Sequence, residues 1–162
     1  MHPNADIGAI HRVAVLPFES TVQDRSVGEK VTRLFTTELL ALGVFDVVEP
    51  GLVTRTLRTE RIDSAEALTA PDFKRLGEAL KADGFFLGSV VEFAETRSGS
   101  TPTPTVTIQL RLIEAPSGVT VWSVSQTRAG ASASARLFGI GGESLVEAAR
   151  DLMRQELKTL VR

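Results

Sequence analysis

Residues 105–113 alternate without a break, Val106, Ile108, Leu110 and Leu112 on one side and Thr105, Thr107, Gln109 and Arg111 on the other. A period of two fits a pleated strand with one buried and one wet face, and no helix presents it. Glu114-Ala115-Pro116-Ser117-Gly118 follows as a hairpin turn, with Gly where the backbone needs positive φ. Residues 119–127 return as a second strand, with Trp122 and Val124 on its buried face. Such a hairpin needs a larger sheet and a layer packed on its apolar side.

The rest of the chain supplies both. Residues 11–18 (HRVAVLPF) read as a buried strand at the sheet centre, and residues 19–25 as a polar loop. Ser26-Val27-Gly28-Glu29 has the spacing of a capping box. Val27, Val31, Leu34, Phe35, Leu39 and Leu42 then recur at helical spacing until Gly43. Residues 44–49 predict a short strand broken by Pro50-Gly51, and residues 52–61 a helix. Residues 62–69 read as a weakly structured connection. Ala70-Pro71-Asp72 opens a further helix that buries Phe73, Leu76, Ala79 and Leu80 and ends at Asp83-Gly84.

Residues 85–93 (FFLGSVVEF) predict a strand apolar enough at its start to be covered on both faces, and residues 94–104 a surface loop. Residues 128–142 are glycine-rich and small, and read as a flexible loop. Residues 143–162 predict a final helix with Leu145, Ala149, Leu152, Met153, Leu157 and Leu160 as its stripe. The order β-α-β-α-α-β-β-β-α describes an α/β chain with a mixed sheet, its first strands parallel and its last three an antiparallel meander. No repeat or linker divides the 162 residues, so they read as a single globular domain with a tail at residues 1–10.

Chemistry is sparse along this chain. It has no cysteine, which removes disulfides, thiolate metal sites and a cysteine nucleophile. The formal net charge of −2 gives no general attraction to nucleic acid. The two histidines, His2 and His11, lie near the start, apart from the partners a triad or metal cluster needs. Neither a dinucleotide-binding nor a P-loop glycine motif occurs. Gly139-Ile140-Gly141-Gly142 precedes a helix, but Glu143 there opposes an anion. Glu19, Asp24, Glu92, Glu95 and Glu114 are scattered carboxylates. Arg55, Arg58 and Arg61 read as a solvated helix face balanced by Glu60 and Glu66. These observations assign no catalytic, cofactor-binding or metal-binding residue. No window approaches the ~18 apolar residues of a spanning helix, and the start does not read as a signal peptide.

Three stretches together resemble one family. Residues 11–18 are similar to its opening strand. Residues 82–93 (ADGFFLGSVVEF) are similar to its Ala-Asp strand entry. Residues 106–125 (VTIQLRLIEAPSGVTVWSVS) are similar to its hairpin, which runs into a Trp-bearing strand. The family is that of bacterial envelope proteins related to CsgG, FlgO, LpoB and the TolB N-terminal domain. The chain departs from it at Glu114, where the family commonly has Asp, and at Pro116-Ser117-Gly118 in the turn.

The resemblance implies an anticodon-binding-domain-like fold and a non-catalytic, periplasm-facing adaptor, associated with the outer membrane as a lipoprotein. Such proteins act by protein contact in envelope, secretion or appendage assembly. Membrane contact would come only through a lipid anchor on a longer precursor, since the chain carries no lipobox Cys. The implied partner is an envelope protein, with homo-oligomerisation left open. Pore formation is not carried over, because residues 94–104 and 128–142 are too short for spanning hairpins of ~20 residues. Arg136, Leu137 and Phe138 are the expected partner contacts, with packing under the final helix as the alternative for Leu137 and Phe138. The alternative function is a small-ligand-binding α/β domain. Its mouth would be formed by residues 18–24 and the loops after Glu49 and Phe93.

Overall fold

The computed structural model describes residues 7–98, 101–129 and 144–161. In chain order these form β1 (Arg12–Val15), β2 (Glu19–Ser20), α1 (Ser26–Leu42), β3 (Asp46–Val47), α2 (Pro50–Thr59), α3 (Ala70–Leu80), β4 (Gly84–Ser98), β5 (Thr101–Glu114), β6 (Thr120–Ala129) and α4 (Leu145–Leu160). Short 3-10 turns occupy Ile7–Ala9 and Ala65–Ala67. The strands form one mixed sheet in the order β3-β1-β4-β5-β6, with β2 joined to β4. β1 is parallel to β3 and β4, and β4, β5 and β6 form an antiparallel meander, as the sequence predicts.

Phe85 and Phe86 show why the sheet is a sandwich filling. Successive residues of a strand face opposite ways, so the two rings enter different cores. Phe86 packs in a T-shape on Phe35 of α1 and on Trp122 of β6, with ring centroids 5.2 and 6.4 Å away. That core lies under α1 and α4. Phe85 meets Phe73 of α3 at 5.7 Å, in a second core under α2 and α3. Each fully buried ring contributes roughly 1.5–3 kcal/mol.

Several expectations are corrected. Residues 94–104 are no loop: β4 and β5 stay paired out to Ser98 opposite Thr101. Pro102 and Pro104 lie beyond Thr105, the last β5 residue that β6 pairs with among the described residues, where a strand tolerates proline. Ser26 is not a capping box. The Asp24 carboxylate accepts from its backbone N–H at 2.9 Å and its hydroxyl at 2.7 Å, and Glu29 pairs with Arg33. The strand ends before Pro50-Gly51 as expected, but the helix after it starts at Pro50 rather than Leu52, because the Glu49 carboxylate caps the Gly51 and Leu52 amides at 2.8 and 2.7 Å.

α3 closes at Lys81 in the left-handed region, and Gly77 replaces Ala79 on its buried face. The polar segment 19–25 contains β2, and residues 62–69 contain the 3-10 turn that buries Ala65. Part of the expected N-terminal tail is built in: Ile7–Ala9 form a turn and Ile10 is buried in the core. Of the loop expected over residues 128–142, Arg128 and Ala129 belong to β6, and the remainder lies outside the described residues.

Candidate interaction surface

The two sheet faces are covered unequally. α1 and α4 cover one face as far as Val90 and Val106. On the other, the apolar cover of α2 and α3 stops at Leu87 and Ile113. Beyond that line the cross-strand rows turn polar. Leu87 pairs with Arg111 and Arg111 with Ser123; Ser89 pairs with Gln109 and Gln109 with Ser125; Glu92 pairs with Thr107 and Thr107 with Thr127. The wet half of the alternating pattern in residues 105–111 is thus an open sheet face.

Glu19, Ser64 and Glu66 wall this face and leave a concavity of about 690 Å³ lined also by Ser89, Gln109, Arg111, Ser123 and Ser125. Its charges are largely spoken for. The Arg111 guanidinium donates to Glu66, and the Ser64 hydroxyl donates to Glu19 at 2.7 Å. Further out, the Thr107 and Thr127 hydroxyls lie 2.9 Å apart, and Thr107 donates to Glu92 at 3.3 Å. Two carboxylates against one guanidinium make the lining mildly acidic. Such a surface offers hydroxyl, amide and carboxylate groups to a hydrogen-bonding partner.

A second concavity of about 600 Å³ lies between α1 and α4. Val31, Leu34, Phe93, Leu145, Val146 and Ala149 make it apolar, with Lys30 and Arg33 at its border.

The structure separates the other residues singled out by sequence. His11 is exposed, and its backbone N–H donates to Asp83. Glu114 accepts from Ser117 within the hairpin turn. Arg55 faces Glu49, and Arg75 bridges Glu60 and Asp72 at 2.9 and 3.1 Å, so the arginine face is solvated and balanced. Among the described residues, no three His, Asp or Glu side chains gather as a metal site. Among them, too, no helix is long and apolar enough to cross a membrane. The ligand mouth expected at strand ends is only partly built. Glu19 and Thr21 line the polar concavity, but Pro50 starts a helix and β4 runs on past Phe93. Arg136, Leu137 and Phe138 lie outside the described residues.

The residues that carry the family resemblance act as joints. The Asp83 carboxylate accepts from the His11 and Arg12 amides at 3.1 and 2.8 Å, and its carbonyl accepts from the Ala115 amide at 2.8 Å. One residue therefore ties β1, β4 and the turn after β5. Gly118, at φ 68°, closes that turn against Ala70, where a Cβ would come within 2.6 Å. Trp122 is buried, and its indole N–H donates to Thr159 of α4 at 3.3 Å.

Sequence signals for the open face existed in the Thr, Gln and Arg half of residues 105–111. Those residues alone indicate only a wet strand face; the wall that Glu19, Ser64 and Glu66 add from distant segments has no local signal.

No family model matches the chain, and no curated protein matches it. Solved structures do. The PelC dodecamer from Paraburkholderia phytofirmans is 23% identical, with a TM-score of 0.65 over 92% of this chain and 86% of that one. Lipoprotein GNA1162 from Neisseria meningitidis is 19% identical, with a TM-score of 0.63 over 90% of this chain and 99% of that one. The LpoB C-terminal domain from Escherichia coli is 14% identical, with a TM-score of 0.53 over 73% of this chain and 82% of that one. The chain shares its fold with these proteins, in line with the LpoB-type resemblance seen in the sequence.

Proposed function

We propose that this chain is a non-catalytic, periplasm-facing adaptor of the outer-membrane lipoprotein type, acting by protein contact in envelope, secretion or appendage assembly. The observation that carries the reading is the fold shared with lipoprotein GNA1162 along nearly the whole of both chains. The sequence resemblance at residues 82–93 and 106–125 supports it independently. Contact with an envelope protein uses the open polar face of β4–β6, and Arg136, Leu137 and Phe138 are added as contact residues from the sequence. Homo-oligomerisation belongs to the proposal, supported by the dodecameric state of the PelC structure.

The test is site-specific photo-crosslinking in an envelope-competent bacterium, with the crosslinker at Gln109 or Ser123. Adducts with an envelope protein are expected, and they are lost when Leu137 and Phe138 are both replaced by Ser. Adducts with cytosolic proteins alone would overturn the reading.

The ligand-binding alternative is favoured by one observation, the concavity of about 690 Å³. A thermal shift with a nucleotide or metabolite panel, abolished by Gln109→Arg, would support it.

A further inference from the structure

The sheet has free edges, and they are not alike. β3 is two residues long. The outer edge of β4 beyond Val90 is interrupted by a bulge between Val90 and Glu92, and carries Glu92 and Glu95. Shortness, bulges and charge are the devices that keep an edge from pairing with another chain. β6 carries none of them along its exposed stretch. Among the described residues it pairs with β5 alone. The register shift in its pairing leaves Val121 of β6 as the extra residue opposite Leu112 and Ile113, before the exposed stretch begins. Ser123, Ser125, Gln126 and Thr127 are exposed, and the run from Ser123 to Thr127 has no charge and no proline.

We propose that β6 is a self-pairing edge. Two copies of this chain join β6 to β6, antiparallel about a twofold axis at Ser125, fusing their sheets into one. The occupant is a second copy because the strand is complementary to itself in this register. Ser123 meets the partner's Thr127, Val124 meets Gln126, and Trp122 meets Arg128, so no like charges face each other. Arg128 keeps its contact with Asp151 of α4, 3.4 Å away. An edge that pairs with itself about a twofold axis uses the same patch on both subunits and closes at a dimer. The inference rests on the strand edge alone and holds whether or not the adaptor reading does. In the fused sheet the two open polar faces become continuous.

This chain carries no cysteine, which makes the test clean. Across the axis, opposed Cβ atoms lie roughly 4.5–5.5 Å apart, close to what a disulfide spans. Ser125→Cys should therefore oxidise to a covalent dimer roughly tenfold faster than Thr54→Cys on the exposed face of α2. The unmodified chain should sediment as a dimer in the micromolar range. Ser125→Lys, which sets two ammonium groups face to face, should sediment as a folded monomer with unchanged circular dichroism. A monomeric unmodified chain overturns the proposal. So does a dimer that persists in Ser125→Lys, or a Ser125→Cys that cross-links no faster than Thr54→Cys.

Discussion

Glu156 is fully buried in the stripe of α4, and neither carboxylate oxygen has a hydrogen-bond partner. Burial pushes its carboxyl up to about 8 from an ordinary 4.5. The folded chain thus holds this proton up to about pH 8, while the unfolded chain releases it near 4.5. Stability should fall by about 1.4 kcal/mol per pH unit between those values, and flatten above them. Glu156→Gln should remove this slope and be the more stable form at pH 8. Urea melts at several pH values, read by the lone Trp122, measure it. Glu38 is buried too, but Arg154 and Arg150 of α4 reach it at 2.6 and 3.3 Å. Replacing both arginines by Met strands a buried carboxylate and should cost about 1–3 kcal/mol in the same melts.

Phe18 decides how the chain turns from β1 into α1. Its ring lies where a Cβ on Gly88 would stand, 2.6 Å from the ring carbons, and its carbonyl lies 2.6 Å from a Cβ on Gly28. Gly88→Ala should therefore destabilise by about 1–3 kcal/mol through overpacking, seen as a lower urea midpoint at unchanged slope. Ser144 and Glu147 form a capping box on α4, and the amide and hydroxyl of Ser144 hold the Glu147 carboxyl below its usual range. Ser144→Ala should cost about 1 kcal/mol.

These elements also show what the sequence makes legible. The alternation of residues 105–113, the stripe of α1 and the two-faced residues 85–90 each answer to a local period, and all three read correctly. The β4–β5 extension is not legible, because Pro102 and Pro104 are ordinary strand breakers, and nothing local shows that they lie beyond the last β5 residue paired with β6 among the described residues. The cap of α1 is illegible for a similar reason. Asp24 takes the Ser26 amide that local spacing assigns to Glu29, and the path of the incoming chain settles that competition.

At the scale of the whole molecule, the sheet divides its labour. Its N-terminal half is sealed on both faces by helices, and among the described residues its C-terminal hairpin keeps one polar face and the outer edge of β6 uncovered. A face that α2 and α3 do not reach costs the core little, so it is available for contacts. Gln109→Arg should accordingly leave the melting temperature nearly unchanged while abolishing the envelope crosslinks. The site was half legible, since residues 105–111 announced a polar face but not the distant Glu19, Ser64 and Glu66 that wall it.

The most direct test of the envelope reading uses the complete natural gene product, expressed from its own start in an envelope-competent host, fractionated and weighed intact. A lipid-modified protein in the outer-membrane fraction is the predicted result. An unmodified protein confined to the cytosol would contradict the account, and leave the shared fold without the shared location.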